Sequence, residues 1–204
     1  MSNAANLYQG KAGEEYWERN APLLDKEQRV RSETLRSLVT LPLDQASSPW
    51  LEVGCGRGHN LLSYDVGLDC DVRQLRYLPA RDIIPILGEA WDLSMFPDGS
   101  FPVVFSVGCL MHLPTHKHPM LPMLPSQCVS WQRAAAEMAR VSSRTVILGE
   151  YMSEKETVVP SDHWPAGTLW SRPYVVPGMR EVKRIAPLPP FDPHVSFSIW
   201  KKAA

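Results

Sequence analysis

One short segment restricts this chain more than any other. Residues 50–53, Trp-Leu-Glu-Val, form an apolar run that ends in Gly54-Cys55-Gly56-Arg57-Gly58. A glycine turn after a strand lets a ligand lie against backbone that any Cβ would block, and open α/β sheets place such turns between a strand and a helix start. The G-x-G-x-G spacing departs from the dinucleotide fingerprint G-x-G-x-x-G, and an acidic residue, Glu52, stands two positions before the first glycine. A turn of this kind serves ligand contact or tight packing, and its context has to choose between them.

That context is an alternation of strands and helices. Helical spacing marks residues 24–39, with Leu35, Leu38 and Val39 beside many charges, and Pro42 and Pro49 bracket a polar linker. Strands are expected at 50–53, 66–69, 83–87, 102–107 and 145–148. A short helix fits 73–78, and residues 130–141, rich in Ala, Met, Arg and Glu, make a good one. Residues 182–185 and 195–200 alternate apolar and polar, as antiparallel strands do. The expected fold is α/β: a mostly parallel sheet with an antiparallel C-terminal edge and helices on both faces. Twelve of the 19 prolines lie at or after Pro114, which predicts ordered loops rather than long helices there.

At 204 residues the chain is expected to be a single domain able to bury a core without disulfide or metal staples. Within it, 1–49 reads as a helical arm, 50–150 as a ligand-binding core and 151–204 as a substrate-side loop with terminal strands. Lys plus Arg number 21 against 22 Asp plus Glu, a net charge of −1, which does not favour nucleic acid or anionic membrane as the partner. No apolar stretch is long enough to span a bilayer, and the N-terminus lacks the pattern of a signal peptide. Cys55, Cys70, Cys109 and Cys128 make no C-x-x-C pair and read as small buried hydrophobes of a reducing compartment, so a cytoplasmic protein is expected.

Five stretches in register resemble the class I S-adenosylmethionine-dependent methyltransferases. Glu52 to Gly58 is similar to that family's first motif, and Gly67-Leu68-Asp69 to the end of its second strand. Gly88-Glu89-Ala90-Trp91-Asp92-Leu93 resembles its G-D-A-x-x-L stretch, and 96–101 its F-P-D-x-S-F turn. Residues 106–114 are similar to the end of its fourth strand and the loop beyond. The flanks are similar to the pseudaminic acid biosynthesis-associated methylases. There the G-x-x-G-x-x-Y-x-x-R-N pattern closes on Asn20, residues 141–151 resemble their fifth strand, and 162–172 resemble their H-x-x-x-L-W-x-R element. Two features depart from the family. Fifteen positions separate Gly54 from Asp69, so the helix between them must be very short, and proline stands at position 102 where the family has aspartate.

The resemblance implies a Rossmann-like methyltransferase sheet, S-adenosylmethionine as cofactor and a small-molecule acceptor, with a carboxylated or nucleotide-linked sugar as its class. A nucleic-acid or protein acceptor, or a donor-binding protein without turnover, is the alternative. Gly54, Gly56 and Gly58 would wrap the methionine part, and Asp69 would take the ribose hydroxyls or else cap a helix. Glu89 and the Ala90 backbone would read the adenine, with Trp91 flanking it or covering a strand end. Tyr16, Arg19 and Asn20 would close over donor and substrate or form a plain amphipathic arm; Glu52, Cys55, Cys70 and Gly108 complete the cofactor set. A hydroxyl or ammonium acceptor needs a base, for which His112, Tyr151 and His163 compete, with Glu150 as a rival. His112, His116 and His118 sit in a proline-broken loop with no acidic residue or cysteine at ligand spacing, so no metal is expected. Trp164, Trp170, Arg172 and Tyr174 make either a substrate wall, with Arg172 meeting a carboxylate or phosphate, or a loop anchored by its tryptophans.

Overall fold

The computed structural model describes residues 11–42, 47–78, 82–114, 130–162 and 168–203. Helix α1 (Lys11–Ser37) precedes β1 (Leu51–Val53), β2 (Val66–Asp69), the short α2 (Val72–Leu75), β3 (Ile84–Leu87) and β4 (Phe101–Val107). A 3-10 turn (Leu110–His112) follows, then α3 (Trp131–Val141), β5 (Ser142–Tyr151), β6 (Thr157–Val158), β7 (Trp170–Ser171), β8 (Met179–Ile185) and β9 (Val195–Lys202).

Seven strands make one sheet in the order β3-β2-β1-β4-β5-β9-β8, and β6 and β7 form a separate two-stranded ladder. β1 to β5 are parallel, β9 pairs antiparallel with β5, and β8 antiparallel with β9. The expected parallel sheet with an antiparallel C-terminal edge is the one observed. Successive strand residues face opposite ways, and both faces are covered. Val104, Val146 and Leu148 join a core with Ala134, Ala135 and Met138 of α3. Val103, Phe105 and Ile147 join another with Leu35 of α1, Leu61 and Phe197. That double burial is why the central strands read as unbroken apolar runs.

α3 follows from its sequence. Ser130 Oγ accepts from Arg133 N at 3.2 Å, capping the start, and Trp131, Ala134, Ala135, Met138 and Ala139 form one buried stripe. α1 begins thirteen residues before the expected start at Leu24. Its backbone stays helical through Pro22, which forfeits one hydrogen bond.

The helix expected after the glycine turn is absent: residues 56–60 are turns, and β2 begins at Val66. α1 lies on this segment instead. Gln28 Nε2 donates to Gly58 O at 3.2 Å, Arg31 Nε to Asn60 Oδ1 at 3.0 Å and Ser32 Oγ to Leu61 O at 3.2 Å. Arg36 grips both oxygens of Asp65 at 2.6 and 2.7 Å. The backbone groups that a helix would have paired internally thus find partners on α1.

Pro102 is the second residue of β4, not its first. The ladder to β5 shifts register between Phe101 and Val103, so the missing N–H falls at an irregularity, where proline is tolerated. Among the described residues, no helix is long and apolar enough to cross a membrane.

Candidate active site

β1 and β4 lie side by side although β2 and β3 follow β1 in sequence, so the strand order reverses between them. In open α/β sheets the crevice outside the carboxyl ends of the strands at such a point binds ligands. Gly54 carries a φ of +77° and Gly56 a φ of +52°. A Cβ on Gly54 would lie 2.4 Å from Cys109 Sγ, and one on Gly56 2.4 Å from the Trp17 ring. Both glycines are therefore required by packing on the side where a Cβ would stand. Trp17 also stacks on His59 at 6.0 Å, so α1 covers the glycine turn with an aromatic ring that sequence reasoning placed only in the arm.

The turn is tied to the end of β2. Gly54 N and Cys55 N donate to Leu68 O at 2.8 and 3.0 Å. Asp69 accepts from Gly56 N at 2.8 Å with one oxygen and from Asp71 N at 2.9 Å with the other. The cap of α2 is Asp71, whose carboxylate accepts from Arg73 N at 2.9 Å, so Asp69 is not consumed as a helix cap. Burial raises the Asp69 pKa, and the amides of Asp71 and Gly56 hold it down in part.

Two further carboxyl groups join it at the ends of β1 and β3. Glu52 is fully buried; Asn60 Nδ2 donates to its Oε1 at 2.5 Å, while its Oε2 is buried with no hydrogen-bond partner among the described residues. Desolvation pushes its pKa up to about 8. Glu89 Oε2 is likewise buried and unpartnered, and burial and then the charge of Asp69 raise this carboxyl too. Ala90 beside it is buried and Trp91 half-buried against the core. Buried carboxyl oxygens without donors call for a ligand rich in N–H and O–H groups.

Cys55 is buried in the core, and Cys70 and Cys109 are half-buried, all three as reduced cysteines. Burial and neighbouring carboxylates raise the pKa of all three, so they stay protonated at neutral pH. Cys128 lies outside the described residues. Tyr16, Arg19 and Asn20 lie in α1, and their side chains are also outside the described set.

On the other flank of the crevice, Gly108 turns the chain at a φ of +69° beyond β4, and its N–H reaches Gly149 O at 2.8 Å. The 3-10 turn beyond it is held by Glu150, fully buried at the end of β5. Glu150 accepts from Ser106 Oγ at 2.9 Å and from the amides of Cys109, Leu110 and Met111 at 3.0–3.3 Å. Its oxygens thus brace the turn, and burial pushes its pKa up to about 7.

His112, in that turn, is buried, with Nδ1 3.0 Å from Thr168 O. A carbonyl only accepts, so Nδ1 carries the hydrogen and Nε2 is the basic nitrogen. Desolvation drives the ring's pKa down to about 4, so it is neutral at physiological pH. Tyr151 at the end of β5 sends its hydroxyl away to Asp192 at 3.1 Å, so it does not converge with His112. His163, with His116, His118 and Trp164, lies outside the described residues. Among the described residues, no cluster of His, Cys, Asp or Glu could hold a metal ion.

Residues 51–147 match the family model described as a methyltransferase domain. No curated protein matches the chain. Solved structures similar to it include the magnesium protoporphyrin IX methyltransferase of Synechocystis PCC 6803 with bound SAM, at 13% identity and a TM-score of 0.61 over 100% of this chain and 99% of that one. A SAM-dependent methyltransferase of Thermotoga maritima is 12% identical, with a TM-score of 0.60 over 98% and 99% of the two chains. The 1,6-didemethyltoxoflavin-N1-methyltransferase of Burkholderia thailandensis is 14% identical, with a TM-score of 0.56 over 98% of this chain and 85% of that one. At these identities the structural likeness is one of fold.

Proposed function

We propose that this chain is an S-adenosylmethionine-dependent enzyme that methylates a small molecule and holds its donor on the three carboxyl groups at the ends of β1, β2 and β3, within the residues 51–147 that match a methyltransferase domain. The observation that carries the donor site is the pair of buried, unpartnered oxygens, Glu52 Oε2 and Glu89 Oε2, flanking Asp69. Every group they lack is one the donor presents. Asp69, already oriented by two backbone amides, accepts from the ribose hydroxyls. Glu89 accepts from the adenine amino group, and Glu52 faces the ammonium of the methionine part.

When bound, S-adenosylmethionine supplies a methyl group already activated on sulfonium sulfur, so the chain's task is to align the acceptor and exclude water. The acceptor sits on the β4–β5 side of the crevice, beside His112, which is neutral at physiological pH and would take a proton from a hydroxyl. Tyr151, tied to Asp192, and His163 are the other bases to be weighed. The flanks' resemblance to the pseudaminic acid biosynthesis-associated methylases points to a carboxylated or nucleotide-linked sugar as acceptor, and the near-zero net charge does not favour nucleic acid.

The test is a calorimetric titration with S-adenosylhomocysteine, with NAD as the control. Saturable binding of the former alone supports the reading, and binding of neither overturns it.

A further inference from the structure

Arg172 is the largest fully buried side chain among the described residues. Its Nη1 donates to Leu113 O at 2.8 Å, but Nε and Nη2 have no hydrogen-bond partner among the described residues. Its guanidinium carbon lies 5.0 Å from the ring centroid of Trp170 and 5.9 Å from those of Trp131 and Tyr174. Trp131 and Tyr174 meet edge to face at 5.2 Å. Trp131 Nε1 and Tyr174 Oη are themselves buried and have no hydrogen-bond partner among the described residues. The cation–π contacts hold the guanidinium in place without using its N–H groups.

All the unsatisfied groups of Arg172 and the two rings packed on it are hydrogen-bond donors. Carboxylates nearby answer them only in part. Glu150 is already engaged by Ser106 and three amides. Glu156 pairs its charge with Arg172 Nε at 3.4 Å, without hydrogen-bond geometry and from a side chain 38% exposed, so Arg172 Nη2 and the polar groups of the two rings are left over. Native chains rarely leave this many buried donors unanswered. A group with several acceptor lone pairs and a negative charge would satisfy them together, which is what a carboxylate or phosphate offers a guanidinium.

The place suits an acceptor. Arg172 N donates to Tyr151 O at the end of β5, and Arg172 Nη1 holds the carbonyl next to His112. Cys109 touches the glycine turn on one side and its amide reaches Glu150 on the other. The cluster therefore lies across that layer from the donor carboxyls, on the side where His112 stands.

We infer that Arg172, with Tyr174 and Trp131, binds an oxyanion of the methyl acceptor, a carboxylate or a phosphate, and so selects anionic acceptors over neutral ones. The inference rests on the methyltransferase reading for the word acceptor, and on Arg172 and its neighbours alone for the anion.

The test titrates D-glucuronate, D-glucose 6-phosphate and neutral D-glucose into the protein, both free and loaded with S-adenosylhomocysteine. Saturable binding of at least one anion and none of glucose is expected, and which anion binds separates carboxylate from phosphate. Arg172→Gln should weaken that binding at least tenfold. Because Arg172 also holds Leu113 O, Tyr174→Phe provides the second arm. It deletes a hydroxyl with no partner, so the fold and melting temperature should be kept while anion affinity falls several-fold. Anion affinity unchanged in the folded variants, or no anion binding by a wild-type protein that takes up S-adenosylhomocysteine, overturns the anion site and leaves the donor reading standing. Anion binding without any uptake of S-adenosylhomocysteine supports the anion site and overturns the donor reading.

Discussion

At Asp69 the amides of Gly56 and Asp71 fix one oxygen each, and the amide of Cys70 supports the same carboxylate, which sets its orientation toward a ligand. Asp69→Ala should raise the dissociation constant for S-adenosylhomocysteine by about ten- to a hundredfold, the loss of two hydrogen bonds to a charged group. Calorimetry reads this directly, and unchanged affinity in the folded variant would remove the ribose assignment. His112→Asn keeps a donor for Thr168 O, so it should spare that affinity and cut turnover in an acceptor assay; wild-type turnover would end the role of His112 as base. Asp69, Glu52 and Glu89 were singled out in the sequence by the resemblance of their motifs to the methyltransferase family, and Asp69 and Glu52 also stand in strands that local pattern reveals. The neighbours that make Gly54 and Gly56 obligatory were not. Cys109 and Trp17 reach them through the tertiary fold, and no spacing rule connects residues so far apart.

Among the elements, α1 takes the role of the missing helix, and Asp65 is the joint between the two. Its carboxylate accepts from Arg36, from Trp50 N at 2.9 Å and from Leu62 N at 2.9 Å, linking α1 to the start of β1 and to the turn before β2. Asp65→Ala leaves the buried amide of Trp50, the half-buried amide of Leu62 and a guanidinium without this partner and should lower stability by about 3 kcal/mol, seen as a lower urea midpoint with an unchanged slope. The sequence showed that the helix after Gly58 had to be very short but not that it vanishes, since that depends on Gln28, Arg31 and Ser32 arriving from α1. Pro102 reads differently once its strand is placed. It lies near the start of β4, about 16 Å along the strand from Val107 at the crevice. Its irregular ladder therefore lies well away from the crevice.

Across the whole molecule the crevice divides by chemistry. Unpartnered carboxyl oxygens of Glu52 and Glu89 stand at the ends of β1 and β3 on either side of Asp69, and the N–H and O–H groups of Arg172, Trp131 and Tyr174 gather beyond β4 and β5. The alternation of strands and helices was enough to read the sheet, but this polarity appears only when β4 is laid beside β1 and residues 170–174 fold back onto β5. It has a pH signature. The Glu52 pKa is raised from 4.5 to about 8 and the Glu150 pKa from 4.5 to about 7. For a raised group the stabilising contribution is complete below the unfolded value and is lost as pH rises through the folded one. The ligand-free protein should therefore lose stability between about pH 5 and 8, and Glu52→Gln should flatten that slope. The donor acts in the opposite sense. Its ammonium favours ionised Glu52, so binding at pH 6 must first expel a proton, whereas at pH 8 about half of these carboxyls are already ionised. His112, with its pKa near 4, stays neutral across this window and adds no proton of its own. The rise in melting temperature caused by a fixed, saturating concentration of S-adenosylhomocysteine follows its affinity. In wild-type protein that rise should be larger at pH 8 than at pH 6, and in Glu52→Gln it should be nearly equal at the two. A thermal-shift series at pH 6, 7 and 8 measures both, and an equal wild-type rise at the two extremes would remove Glu52 from the ammonium site.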